Sequence, residues 1–183
     1  MTTLSNILIL LTALLAVFGQ SAVTGVHQLL GARVDLLPAL MVYTALSSGP
    51  AMMITLAVVG GLFFDTLSAN PLGTSVLPLL IVGFLVQLRR DLILREQIYA
   101  QFVLGLFAST VAPAMAILIL LTLGQSPLLG WGSLWQWTVM SVGGAVATPI
   151  FFITFGWLNH ALGYQRIIET SFRPDREIRR RRN

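Results

Sequence analysis

The chain has 183 residues, 56% of them hydrophobic and 10% charged, with eleven basic residues against seven acidic ones and a net charge of +4. Soluble domains carry about a quarter charged residues, so a water-soluble globule is excluded. All eleven basic residues are Arg, gathered at a few breaks in an apolar chain, which is the pattern of membrane flanks rather than of a nucleic-acid surface; the absence of cysteine excludes disulfides, thiol catalysis and thiolate metal sites.

Uncharged runs cover residues 1–32, 36–64, 66–88 and 97–165. A run of about 18 or more such residues reads as a membrane helix, and the last is long enough for two, so the fold class is an all-α polytopic membrane protein. The first helix is predicted from Leu4 to Leu30. The Met1–Leu15 stretch lacks the basic start of a signal peptide, which makes this helix a retained span. Its second half is the more polar, with Gln20, Ser21, Thr24, His27 and Gln28, and either reaches the interface or faces protein. Arg33-Val34-Asp35 breaks the chain. From Leu36 to Phe64 the turn sequence Ser47-Ser48-Gly49-Pro50 leaves two readings open, two short helices or one kinked span, because Pro favours the first position of a new helix and yet the whole run is long enough to span.

A fourth helix is predicted from Pro71 or Leu72, after the turn Ser68-Ala69-Asn70-Pro71, to Leu88, where Arg89, Arg90, Asp91, Arg95 and Glu96 stop it. The fifth runs from Ile98 to Leu123. A break follows at Gly124-Gln125-Ser126-Pro127 and Gly130-Trp131-Gly132-Ser133, and a sixth helix runs from Leu134 to about Leu162. Trp137 and Trp157 lie one hydrocarbon thickness apart at about 1.5 Å per residue, which fits Trp131, Trp135 and Trp137 to one aromatic belt and Trp157 and Tyr164 to the other. Residues 1–165 form the helical bundle and 166–183 a basic tail.

Arginine-rich flanks stay in the cytoplasm. The clusters at Arg89–Arg95 and Arg166–Arg182 are separated by two spans, so both lie inside, and the Asp65–Gly73 turn lies outside. Six spans then place the N-terminus inside; five spans, the alternative, reverse it. Arg89, Arg90, Arg95, Arg179, Arg180, Arg181 and Arg182 are expected to face anionic lipid.

Asp65 is the acidic residue flanked on both sides by long uncharged runs, and an ionised group near membrane depth is costly. Its expected role is to order the turn, accepting hydrogen bonds from the Thr66–Asn70 backbone. His27 and His160 have no second ligand at metal-binding spacing. With no nucleophile elbow, no phosphate-cradling loop and no close pair of carboxylates, neither an enzyme nor a cofactor is expected. Small residues recur at helix-packing spacing: Ala57 and Gly61; Gly105, Ser109 and Ala112; Gly143 and Ala147; Gly144 and Thr148. Such faces let helices approach closely in lipid, within the bundle by default and against a partner helix where a face is left over.

Val34-Asp35-Leu36-Leu37-Pro38, with the run from Gly60-Gly61-Leu62-Phe63-Phe64-Asp65 through Pro71-Leu72-Gly73, resembles the rod shape-determining protein MreD family. The resemblance implies a non-enzymatic scaffold in the bacterial inner membrane with a cytoplasmic C-terminus. It also implies partnership with MreC, RodA, a penicillin-binding transpeptidase and the actin-like MreB in building side-wall peptidoglycan. Gly60, Gly61, Asp65, Pro71 and Gly73 carry its specific part and are the candidate partner-binding and structural residues. The family is similar in fold to the six-helix S-components of energy-coupling-factor vitamin transporters, and this sets the alternative function, a substrate-binding subunit. For the tail, contact with anionic lipid competes with docking of MreB.

Overall fold

The computed structural model describes residues 3–22, 34–68, 71–89, 97–124 and 130–163. It is all-helical there: α1 (Thr3–Ala22), α2 (Leu37–Ser47), α3 (Pro50–Ser68), α4 (Val76–Leu88), α5 (Ile98–Thr122) and α6 (Trp131–Gly163). Three of them, α3, α5 and α6, are long and apolar enough to cross a membrane, while α1, α2 and α4 contribute shorter apolar helices. With 11 and 13 residues, α2 and α4 rise about 16 and 20 Å at 1.5 Å per residue. Both fall well short of a hydrocarbon core about 30 Å thick.

The first helix is described as far as Ala22, and the rest of its predicted extent lies outside the described residues. The open reading at residues 36–64 resolves to two helices. Ser48 is extended (φ −113°, ψ 172°) and donates its N–H to the Thr44 carbonyl, after which Pro50 opens α3. The predicted start of the fourth helix at Pro71 or Leu72 is corrected to Val76. Gly73 has φ +92°, and a left-handed residue cannot lie inside a right-handed helix. The last helix starts earlier than predicted, at Trp131, where the Gly130 carbonyl accepts the N–H groups of Ser133 and Leu134.

Helix α2 is the centre of the bundle. It packs on all five other helices, and ten consecutive residues, Leu37–Leu46, are buried, as expected of a helix that is apolar all round. Directions follow from cross-helix pairs. A Cβ on Gly61 would meet Val76, and one on Gly83 would meet Met53, so α3 and α4 are antiparallel. Gly143 faces Val34, and Tyr43 stacks on Phe155 at 4.6 Å, so α2 and α6 are parallel. Gly105 faces Thr148 while Ser109 faces Gly144, so α5 and α6 are antiparallel.

The outside is apolar: Ile7, Leu11, Leu15 and Phe18 line one face of α1, and Val142, Val146, Ile150, Ile153 and Trp157 run along α6, all exposed. Continuous apolar stripes of this extent suit lipid rather than water, and the chain is a helical membrane protein. Trp131, Trp135 and Trp157 are exposed as belt residues should be. Trp137, expected among them, instead turns inward, its indole N–H donating to the Thr110 carbonyl of α5 at 3.2 Å.

The two short helices begin at one level. Leu37 lies against Gly60 and Val76 against Gly61, so α2 and α4 both start about 15 Å along α3 from Pro50. Beyond that level α3, α5 and α6 continue and α2 and α4 do not.

Candidate functional site

Where α4 starts, a carboxylate from α3 receives it. Asp65 is fully buried. Its Oδ2 accepts the Gly73 N–H at 2.8 Å, and the Ser75 N–H lies 3.2 Å from both oxygens. Ser75 is the N-cap residue of α4 and its own side chain makes no capping bond, so Asp65 caps the helix from its neighbour. The arrangement satisfies open N–H groups and sets an anion at the positive end of the helix.

The donors are Gly73 and Ser75, beyond the Thr66–Asn70 backbone that the sequence suggested; Ala69 and Asn70 lie outside the described residues. The Pro71 carbonyl accepts both the N–H (3.2 Å) and the hydroxyl (2.7 Å) of Thr74. Around Gly73 nothing approaches within 4 Å of a Cβ position, so what that site demands is its positive φ rather than space. At Gly61 the demand is space: a Cβ would stand 2.9 Å from Val76 Cγ2 and 3.0 Å from its Cα. Gly61, Asp65, Pro71 and Gly73 thus meet where α3 receives α4, while Gly60 faces Leu37 of α2. Arg89 lies at the opposite end of α4, exposed. Arg90, Arg95 and Arg179 to Arg182 lie outside the described residues.

Beyond the starts of α2 and α4 a chamber of about 340 Å³ remains. The ends of α1, α3 and α5 and the starts of α2, α4 and α6 all contribute to its wall. Most of that wall is apolar, and Asp35 is the one ionisable side chain among the described lining residues. Asp35 precedes α2, and its Oδ1 accepts the Leu37 N–H at 3.0 Å. Part of its surface faces the chamber, but apolar groups surround the carboxyl, and this burial pushes its pKa up to about 6 against the lowering effect of the Leu37 bond. The Gln20 amide nitrogen is buried without a hydrogen-bond partner, and Gln20 lines the same space, as do Gln136 and the pinned Trp137.

Sequence reasoning missed Asp35 as a site residue, taking it with Arg33 as a charged break. The available signal was an acid two residues ahead of a helix whose first turn contains Pro38, since such a side chain is placed to accept an open N–H of that turn.

The small-residue faces are occupied. A Cβ on Gly105 would collide with Thr148, and one on Gly144 with Ser109, while Thr110 and Ser141 bond across the same seam at 3.0 Å. Ala57 is fully buried. Among the described residues these faces pack within the bundle, as the default reading has it. No group of three or more His, Asp or Glu that could hold a metal occurs among the described residues. Compared with known proteins, the chain matches no family model, no curated sequence and no solved structure.

Proposed function

We propose that the chain is a non-enzymatic membrane scaffold of the MreD type, holding MreC in the inner membrane for side-wall peptidoglycan synthesis. RodA, its transpeptidase and MreB would be further members of the assembly. The observation that carries this reading is the junction at Asp65. The residues on which the resemblance rests, from Gly60 to Gly73, are those that set the depth of α4 and shape the turn before it. The alternating helix directions put Arg89 and the C-terminal end of α6 at the end of the bundle away from that turn, which supports a six-helix arrangement with both termini inside in which α2 and α4 reach only part of the way across. Leu72, 69% exposed at its tip, is the apolar anchor for a partner, because the small-residue seams are already filled.

At equal membrane levels, recovery of MreC on the tagged chain is expected to fall about tenfold in Asp65→Ala and in Leu72→Asp, as for loss of a central anchor. Undiminished recovery in both variants overturns the reading. Turnover of a lipid-linked peptidoglycan precursor by the purified chain would also overturn it.

The chamber favours a second reading, a small-molecule-binding subunit similar to the S-components of energy-coupling-factor transporters. Its volume of about 340 Å³ falls at the lower end of the range for ligand sites, ~300–1,000 Å³.

A further inference from the structure

We infer that the chamber above α2 and α4 is a binding site for an organic cation, an amine carried on an apolar body, with Asp35 as its counter-charge. Apolar walls with a few convergent polar groups are the usual make-up of a small-molecule site, and here those groups select the sign of the ligand. Asp35 is the one ionisable group among the described residues of the wall, and its carboxylate accepts the Leu37 N–H. An anion would meet a carboxylate with no cation beside it among the described lining residues. A cation would supply the opposite charge that the desolvated carboxylate does not find among the described residues.

Two further features fit a ligand rather than empty space. Gln20 is among the residues that line the chamber, and its amide nitrogen is buried without a partner. A buried donor left unmade costs free energy, and an oxygen on the ligand body would satisfy it. Trp137 is held against the chamber by its bond to Thr110, so one aromatic wall is fixed before anything binds. The space of about 340 Å³ matches roughly eleven water-sized groups at about 30 Å³ each. This inference extends the small-molecule reading and is independent of the scaffold reading, which needs no chamber. Loss of MreC recovery would leave it standing, and failure to bind amines would leave the scaffold reading standing.

The test compares three probes that share one apolar body and differ in the charge of the head: 4-phenylbutylamine, 4-phenylbutanol and 4-phenylbutyrate. Each is titrated calorimetrically into the full chain in amphipol at about pH 8, where the amine is charged and Asp35 ionised. The amine is expected to bind about tenfold more tightly than the alcohol, and the carboxylate not at all. Asp35→Asn should remove the preference for the amine over the alcohol. Ala116→Trp, which fills the chamber from α5, should abolish binding of both.

Equal binding of the three probes overturns the inference, as does no amine binding or an amine preference that survives Asp35→Asn. Should Asp35→Asn fail to fold, amine binding that survives Ala116→Trp overturns it and amine binding that is lost supports it. Native mass spectrometry separates the sources of the amine. An ethanolamine phospholipid that copurifies and is displaced by 4-phenylbutylamine marks a lipid headgroup, whereas amine binding to lipid-free protein marks a free amine.

Discussion

Two carboxylates near the same end of the bundle have opposite fates. Asp65 is fully enclosed and committed, both oxygens turned to the backbone of Gly73 and Ser75, whereas Asp35 accepts a hydrogen bond from Leu37 and otherwise faces apolar walls. The burial that raises the Asp35 pKa from 3.8 to about 6 means that the folded chain holds this proton more tightly than the unfolded one. The stabilisation is therefore fully present below about pH 4 and is lost as pH rises through about 6. Asn cannot ionise, and its Oδ1 can still accept the Leu37 N–H. Thermal scans in detergent should show Asp35→Asn melting above the parent chain at pH 8 and level with it at pH 4. A gap that is the same at both pH values would contradict this assignment.

At the scale of helices, the seam between α5 and α6 depends on missing side chains. Gly144→Leu would drive a bulky group into Ser109 and is expected to destabilise by about 1–3 kcal/mol, the usual cost of overpacking. Ser109→Ala points the other way. The Ser109 hydroxyl is buried without a partner, so removing it should stabilise by roughly 1 kcal/mol, read as a higher melting midpoint. The long helices were legible in the sequence because charge and turn residues bracket them: Ile98 and Thr122 fall next to the predicted limits. The start of α4 was not legible. Pro71 looks like a helix opener locally, but a carboxylate ten residues before Ser75 in the chain decides the matter, and a window of local pattern cannot contain it. Asp35 was hidden for a related reason: a charge beside another charge reads as a loop until tertiary structure gives it walls.

For the whole molecule, alternating directions put Gly49 and Leu72 at opposite ends, both exposed. The natural chain has no cysteine, so single substitutions report sidedness without background. In intact cells an impermeant maleimide is expected to label Leu72→Cys, and Gly49→Cys only after permeabilisation; labelling of both from one side would refute the alternation. The central helix also constrains how the chain is made. With 11 residues, α2 is well below the ~17 that a solitary segment needs to enter a bilayer as a span, although it is the helix every other one packs against. It can enter lipid only together with α3, as the two limbs of one hairpin closed at Ser48-Gly49. Insertion of α2 is therefore expected to be coupled to that of α3, so the hub of the finished bundle depends on its neighbour to reach the membrane.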